Sequence, residues 1–263
     1  MQHHDTTSQL VEGGIIVQHR VPSFSDKWLI GEPVPEAAWH DRAVELLKAL
    51  LEHWLARTRR DAAVFRNLAV RVRSDKPKVG FDPDLLVVSP APPGARDLSS
   101  LRLWAPGHAV PSLVIEVVSP GHPYKDYAET PDLCAALGVD ELLVFDPTLV
   151  GPKALGGPQR LQVWRRTDQQ TFERVSSGEG PFFSRFLGGH LIAVEDGRRL
   201  RIADDEGGLR LWPTPEEAER DLLEAERASA QAERAAKEQE RAAKEHALAR
   251  VAELERELAK RGG

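Results

Sequence analysis

The sequence predicts an α/β or α+β domain with a central mixed sheet, followed by a long charged helix at the C-terminus. Three observations predict this class: an amphipathic helical pattern precedes several strand-like segments, a second helix stands between two of those strands, and the composition changes abruptly at residue 213. Helices that alternate with strands in this way usually cover a sheet. We expect residues 1–21 to be a flexible N-terminus, residues 22–212 to be the domain and residues 213–263 to be a helical or coiled-coil tail.

The first helix is predicted over residues 35–58, PEAAWHDRAVELLKALLEHWLART. Pro35 stands near its start, where helices tolerate proline. The residues that precede it, Pro22 to Pro35, are rich in proline and typical of a loop. Six apolar residues recur at helical spacing and predict the face that packs on the core: Val44, Leu47, Leu50, Leu51, Trp54 and Leu55.

Four strands are predicted in the middle of the chain: AVFRNLAVRVRS (63–74), DPDLLVVSP (82–90), PSLVIEVVSP (111–120) and VDELLVFDP (139–147). Apolar runs bounded by proline and glycine are typical of strands. Residues 90–110 form a Pro/Gly-rich connection, and YAETPDLCAALG (127–138) predicts a crossover helix that ends at Gly138. The segments RLQVWRR, TFERVS and HLIAV predict shorter strands after residue 160.

The tail predicts one long helix. The heptad ERAAKEQ is followed at once by ERAAKEH, and Glu recurs three to four residues from Arg or Lys, a spacing that allows ion pairs along a helix. This pattern leaves a coiled coil and a solitary charged helix open. Because alanine buries little area, self-association through the seam is expected to be weak. The residues with coiled-coil spacing are Ala228, Ala235, Ala242, Ala249, Val251, Leu254 and Leu258.

Composition excludes several classes of protein. The net charge of -6 argues against a broad electrostatic footprint on nucleic acid, although RTRRD (57–61) and RVRSDKPK (71–78) are locally basic. A single cysteine, Cys134, excludes an internal disulfide framework and a multi-cysteine zinc site. No apolar run approaches the roughly 20 residues of a membrane-spanning helix. The N-terminus lacks the pattern of a signal peptide, so we expect a cytoplasmic protein.

One carboxylate interrupts the apolar run PSLVIEVVSP. Burying Glu116 in its ionised form is costly unless the charge has a partner. Asp84 opens the preceding strand, so two acids on neighbouring strands could converge at one end of the sheet. Such a pair suits Mg²⁺ or Mn²⁺, which can polarise a phosphodiester and lower the pKa of a bound water. The structural alternatives are a turn role for Asp84 and an ion pair between Glu116 and a base such as Lys125.

Three segments together resemble a known family: PDLLVVSP, PSLVIEVVSP and KDYAETPDLCAALGVDELLVFDP. In this order they are similar to the Uma-two family of restriction endonucleases, within the PD-(D/E)XK nuclease superfamily, over residues 22–195. The resemblance implies a restriction-endonuclease-like mixed sheet flanked by helices, DNA as the substrate, and Asp84 and Glu116 as the metal-binding acids. Together with the tail, it also favours a homodimer.

The chain departs from the family pattern at the expected lysine. The superfamily lysine normally stands two residues after the glutamate, where this chain has Val118. Family members often supply a lysine four residues after an aspartate instead. Asp126 fits that aspartate, but Thr130 occupies the lysine position, and Cys134 occupies the position of the tyrosine usually found four residues further on.

Two functions therefore remain open. The first is a metal-dependent DNA endonuclease with Asp84, Glu116 and Lys125 as catalytic residues, in which Asp84 and Glu116 hold Mg²⁺ or Mn²⁺. The second is a catalytically inactive nuclease fold that acts as a binding or assembly module through its coiled-coil tail. The retained acids favour the first. The missing lysine favours the second, because the loss of a catalytic electrostatic donor commonly costs about two to three orders of magnitude in rate.

Other side chains have less specific interpretations. His40 either lines the cleft or lies on the helix surface, where Glu45 is expected to be solvated. Cys134 is expected in the core, since no general base is near it in sequence. Three tryptophans are expected to pack in the protein rather than stack on bases: Trp104, Trp164 and Trp212.

Overall fold

The structure is a computed structural model that describes residues 6–11, 14–20, 38–167 and 171–261. The chain divides into two compact units, Met1–Thr214 and Pro215–Gly263. The first unit holds a mixed eight-stranded sheet with helices, and the second is a single helix. The predicted α/β class, with a long helix at the C-terminus, is therefore confirmed.

The described strands are β1 (Thr6–Val11), β2 (Gly14–Arg20), β3 (Ala63–Arg66), β4 (Ala69–Arg71), β5 (Gly80–Phe81), β6 (Leu85–Val88), β7 (Ser100–Arg102), β8 (Leu113–Val117), β9 (Glu141–Phe145), β10 (Leu161–Arg166), β11 (Thr171–Gly178), β12 (Phe182–Ser184), β13 (Gly189–Val194) and β14 (Arg199–Ala203). The α-helices are α1 (Ala38–Thr58), α2 (Thr130–Leu137) and α3 (Pro215–Arg261), and a π-helical turn spans Lys125–Glu129.

The central sheet has the order β1-β2-β11-β10-β9-β8-β6-β3. Its only parallel pair among the described strands is β8 with β9, and the connection between these two contains the π-helical turn and α2. A parallel pair of neighbouring strands requires such a crossover. The crossover helix predicted between the third and fourth strands is thereby confirmed, and it ends at Gly138, which has a left-handed φ of 88°.

Two apolar layers cover the two faces of the sheet. On one face, α1 and the sheet β12-β13-β14 pack against Leu113, Ile115 and Val117 of β8. On the other, α2 and the small sheet β5-β4-β7 pack against Val114 and Val118. Alternate residues of β8 therefore face opposite layers, as the period of a strand requires. All six apolar residues predicted to face the core from α1 are buried.

Two features of the fold differ from the sequence prediction. The predicted strand over residues 63–74 is two strands, β3 and β4, that lie in different sheets. They are separated at Asn67, which has a positive φ of 49°, a conformation that asparagine tolerates better than most residues. Residues 6–11 and 14–20, assigned to a flexible N-terminus, form the hairpin β1–β2 at the edge of the central sheet. The loop predicted from Pro22 to Pro35 lies outside the described residues.

The second unit is the 47-residue helix α3, in agreement with the predicted tail helix. Ion pairs between residues four apart stabilise its surface, among them Glu233 with Lys237 and Arg241 with Glu245. Several of its large apolar side chains are nevertheless exposed, including Leu222 and Leu248. None of the helices in the described ranges combines the length and the apolar composition needed to cross a membrane.

Candidate active site

The register of two strands brings Asp84 and Glu116 together. Strand β6 pairs with β8 in antiparallel fashion, and Leu85 lies opposite Ile115. Asp84 immediately precedes Leu85 and Glu116 immediately follows Ile115, so the two acids stand at the same end of this strand pair. The backbone N–H of Asp84 lies 3.4 Å from Glu116 Oε2. The predicted convergence of the two acids at one end of the sheet is therefore observed.

Asp84 is held by the first helix and by the end of β8. His40 Nε2 lies 3.2 Å from Asp84 Oδ2 and 2.8 Å from the carbonyl oxygen of Val117. Both atoms are acceptors, so this nitrogen carries the proton. The N–H of Val117 donates to the same carboxylate oxygen at 2.7 Å. His40 is 2% exposed, so the interpretation that places it on the helix surface is wrong.

Glu116 is buried among polar groups from the crossover connection. It is 1% exposed, and it points toward the layer that contains α2. Lys125 Nζ donates to Glu116 Oε2 at 3.1 Å, and Thr130 Oγ1 donates to Glu116 Oε1 at 3.3 Å. Lys125 Nζ also lies 2.9 Å from Asp126 Oδ1. One lysine therefore bridges two buried carboxylates, and the ion pair predicted as a structural alternative for Glu116 is present.

The π-helical turn explains why Lys125 and Thr130 reach the same carboxylate. The N–H of Thr130 donates to the carbonyl of Lys125, five residues earlier. In a regular α-helix, residues three or four apart share a face, so Asp126 rather than Lys125 would align with Thr130. The extra residue in the turn moves Lys125 onto the face of Thr130. Backbone geometry thus supplies a lysine at Glu116 although Val118 and Thr130 occupy the usual lysine positions.

A buried hydrogen-bond network fixes the position of this turn. The Tyr127 hydroxyl donates to Asp146 Oδ2 at 2.9 Å and accepts the N–H of Gln159 at 2.9 Å. Asp146 also accepts the N–H groups of Val150 and Gly151. A Cβ at Gly151 would lie 2.1 Å from the Tyr127 ring, so the backbone can approach this closely only as glycine. The network anchors the residue that follows Asp126.

The electrostatics of the cluster are unbalanced. Burial raises the pKa of Glu116 well above its usual value, and although Lys125 opposes this shift, the charges of Asp84 and Asp126 add to it. Burial likewise raises the pKa of Asp126, to about 7. Asp84 differs: burial would raise its pKa, but the hydrogen bond with His40 and the charge of Lys125 outweigh burial and lower it. Lys125 contacts two of these three acids, Glu116 and Asp126, and His40 holds the third.

The residues fit a divalent cation in their chemistry. Carboxylate oxygens are the ligands that Mg²⁺ and Mn²⁺ prefer, and a cation would relieve the repulsion that raises the pKa of Glu116. Within the described ranges, however, no three His, Cys, Asp or Glu side chains converge as a preformed metal cage. The ammonium group of Lys125 is the cation in contact with Glu116 and Asp126.

The remaining candidates lie away from the cluster or fill the core. Glu45 is exposed and pairs with Arg66 at 3.2 Å. Cys134 is completely buried, and burial raises the pKa of its thiol, in line with the predicted core role. Trp164 and Trp212 are buried, as predicted, whereas Trp104 is 40% exposed. The sequence matched Asp126 to the family aspartate but did not predict that it joins the cluster. Its position next to Lys125 was the signal available for that contact.

Comparisons with known proteins identify the family of the chain. The Uma2 family, described as "Putative restriction endonuclease", matches residues 23–186. A crystal structure described as "a putative nuclease belonging to DUF820 from Anabaena variabilis" is 15% identical, covers 71% of this chain and 86% of that chain, and has a TM-score of 0.40. No curated protein sequence matches. Because the family match spans more than half of the chain, the chain belongs to the Uma2 family, which is the Uma-two family of the sequence resemblance.

Proposed function

We propose that this member of the Uma2 family is a metal-dependent endonuclease that hydrolyses phosphodiester bonds in DNA. The observation that carries the proposal is the convergence of Asp84, Glu116 and Lys125 at one end of the central sheet, with Lys125 Nζ 3.1 Å from Glu116. Burying several acids without enough positive charge to balance them lowers the stability of a protein. Groups of this kind are characteristic of catalytic sites. Asp84, Glu116 and Lys125 are the proposed catalytic residues.

Asp84 and Glu116 would hold Mg²⁺ or Mn²⁺. When bound, the ion supplies Lewis acidity that polarises the phosphodiester and lowers the pKa of a bound water. His40 and the N–H of Val117 keep Asp84 ionised and fixed in one orientation. Thr130 holds one oxygen of Glu116. Lys125 supplies the positive charge that offsets the negative charge of the phosphate in the transition state.

A basic hairpin beside Asp84 supports DNA as the substrate. Residues 72–79 connect β4 to β5 and contain Arg73, Lys76 and Lys78 but only one acid, Asp75. Lys76 and Lys78 are exposed. Lys78 precedes Asp84 by six positions, a span of at most roughly 20 Å at full extension. Cations at this distance from the acids can contact phosphates next to the cleaved bond, while the net charge of -6 limits binding elsewhere.

Cleavage of supercoiled plasmid tests the proposal. We expect nicking by the wild type with Mg²⁺ or Mn²⁺, no nicking with EDTA, and a loss of at least about a hundredfold in Asp84→Asn. Asp82→Asn is the matched control, because Asp82 also flanks Pro83 but is exposed and bound to Arg71 at 2.7 Å. Equal loss in both variants, or nicking by Asp84→Asn at the wild-type rate, would contradict the proposed site.

A second candidate function is an assembly module built on an inactive nuclease fold. The observation that favours it is α3, whose Leu222 and Leu248 side chains are 72% and 69% exposed. Such side chains suit a coiled-coil partner, of which a second copy of the chain is the simplest. This function predicts no cleavage with any divalent ion. It also predicts a dimer by light scattering, which Leu222→Glu converts to a monomer.

A further inference from the structure

The position of Lys125 suggests a second role within the proposed site. Its ammonium group lies 3.1 Å from Glu116 Oε2 and 2.9 Å from Asp126 Oδ1. These are carboxylate oxygens of the kind that a divalent ion takes as ligands. The lysine and the ion therefore compete for the same negative charge.

We propose that the ammonium group of Lys125 is the counter-ion of Glu116 until a divalent metal ion binds this carboxylate and displaces it. The inference rests on the proposed function, since it concerns the same acids. It assigns to Lys125 an exchange: the ammonium group leaves Glu116, the carboxylate that it shares with the proposed metal site, when the metal binds, and it is then available to the phosphate of the substrate. A family lysine at position 130 would lie on the helix that follows, whereas this chain has only Thr130 there.

Three structural facts make the exchange feasible. The Lys125 side chain is 41% exposed, so it has a route to solvent, whereas Glu116 and Asp126 are almost fully buried and remain in place. Lysine has a flexible four-carbon stem, which permits the ammonium group to move without moving the backbone. The π-helical turn itself is anchored separately, by the bond from Tyr127 to Asp146.

The exchange has a consequence that a purely catalytic lysine lacks. Removing the Lys125 charge removes the competitor of the metal ion, so binding of the metal becomes tighter. Removing it also deprives the transition state of a positive charge, so cleavage becomes slower. One substitution therefore changes metal affinity and activity in opposite directions. A lysine that only supports a bound metal complex would not produce this tightening.

The first test is calorimetry of the full chain with Mg²⁺ and with Mn²⁺, without DNA. We expect Lys125→Met to bind the ion about tenfold more tightly than the wild type, because a unit positive charge in contact with the ligands is gone. Lys78→Met is the matched control, since it removes the same charge from an exposed lysine outside the cluster. We expect it to bind like the wild type. Equal or weaker binding by Lys125→Met overturns the inference.

A second measurement uses only the wild-type protein and so does not depend on the folding of a variant. Acetylation of each lysine with acetic anhydride is followed by mass spectrometry, with and without Mg²⁺. We expect Mg²⁺ to increase the labelling of Lys125 at least threefold, because its ion pair with Glu116 is broken, and to leave Lys78 unchanged. Labelling of Lys125 that stays constant or falls contradicts the exchange.

Failure of this inference can be distinguished from failure of the proposed function. If wild type and Lys125→Met bind the ion with the same affinity and the wild type cleaves DNA, the exchange is wrong and the nuclease proposal stands. If neither protein binds Mg²⁺ or Mn²⁺, metal dependence and the exchange are both wrong. Binding by Lys125→Met alone supports the exchange in its strongest form.

Discussion

Two buried glutamates on neighbouring strands differ in how their surroundings balance their charge. Glu116 on β8 and Glu141 on β9 are each 1% exposed. In the parallel pairing of these strands Glu141 lies opposite Leu113, so the two glutamates are three residues apart along the strands, about 10 Å. Each has a basic partner, Lys125 for Glu116 and Arg165 for Glu141. The two glutamates differ in the other groups that surround their carboxylates.

Glu141 is surrounded by donors. Arg165 donates to it at 2.9 Å, Ser184 Oγ at 2.5 Å, and the N–H groups of Arg185 and Phe186 at 3.0 and 3.3 Å. These donors lie in β10 and at the end of β12, so the Glu141 carboxylate links both of these strands to β9. The hydrogen bonds and the ion pair offset the cost of burial.

Glu116 is surrounded by other acids as well as by donors. Burial raises its pKa most, and the charges of Asp84 and Asp126 add to this shift. Its bonds from Thr130 and from the N–H of Asp84 are long, at 3.3 and 3.4 Å. The local contacts of Glu116 therefore do not offset the free-energy cost of burying its charge. This difference supports the proposed role of Glu116, because acids whose charges are left unbalanced by their neighbours cluster at functional sites, whereas burial alone does not distinguish Glu116 from Glu141.

The largest expected effect comes from making both glutamates neutral. In EDTA, we expect Glu141→Gln to lower the free energy of unfolding by about 3 kcal/mol, because Arg165 loses its buried partner. We expect Glu116→Gln to change it by less than about 1 kcal/mol, because lost repulsion compensates for the lost ion pair. Urea denaturation at pH 7.5 measures both values. If Glu116→Gln is the more damaging of the two, the comparison between the acids is wrong.

The second prediction concerns pH. Burial raises the pKa of Asp126 in the folded protein to about 7, from an ordinary value of 3.8, so between these values the folded protein retains a proton that the unfolded chain has lost. Stability from this group is therefore greatest near pH 4, falls as pH rises to about 7 and is constant above that. In EDTA, the stability of the wild type relative to Asp126→Asn should fall by on the order of 2 kcal/mol between pH 5 and pH 8.

Asp205 provides the control for this pH series. The hydrogen bond from the backbone N–H of Arg210 lowers the pKa of Asp205, so this carboxyl is ionised above pH 5 in the folded and in the unfolded protein. The difference between wild type and Asp205→Asn should not change between pH 5 and pH 8. A slope of the same size for both variants would show that Asp126 is not the group that titrates.

The smallest expected changes in the free energy of unfolding come from removing the hydroxyl groups that bind the two glutamates, those of Ser184 and Thr130. Ser184→Ala should lower the free energy of unfolding by about 1.5 kcal/mol, because it removes a short hydrogen bond to buried Glu141. Thr130→Val should lower it by less than about 0.5 kcal/mol, because its 3.3 Å bond to Glu116 is long. Thermal and urea unfolding of the two variants measure this difference. A larger loss in Thr130→Val would mean that Glu116 depends on its local bonds.

Much of the fold could be predicted because its patterns are local. Helical spacing identified the buried face of α1, and apolar runs identified β6, β8 and β9. The turn at Asn67 was missed because an alternating pattern continues through it. The hairpin β1–β2 was missed because its place in the sheet depends on pairing with β11, about 150 residues away in the chain.

The candidate site was predictable only in part. Asp84 and Glu116 stood out because each carries a charge at an apolar strand, and Lys125 stood out as a base at the start of the crossover helix. The π-helical turn that aligns Lys125 with Thr130 leaves no residue pattern, because it is a choice of backbone hydrogen bonds. The role of Glu141 was equally hidden, since most of its donors lie more than 40 residues further along the chain.

The most direct test of the account is calorimetric titration of Mg²⁺ and Mn²⁺ into wild type, Glu116→Gln and Glu45→Gln. Glu45 is an exposed glutamate on α1 and controls for the change in net charge. We expect binding by the wild type and Glu45→Gln and its loss in Glu116→Gln, with plasmid nicking following binding in the same samples. Binding by Glu116→Gln equal to that of the wild type, or no binding by any of the three, would contradict a metal site at Glu116.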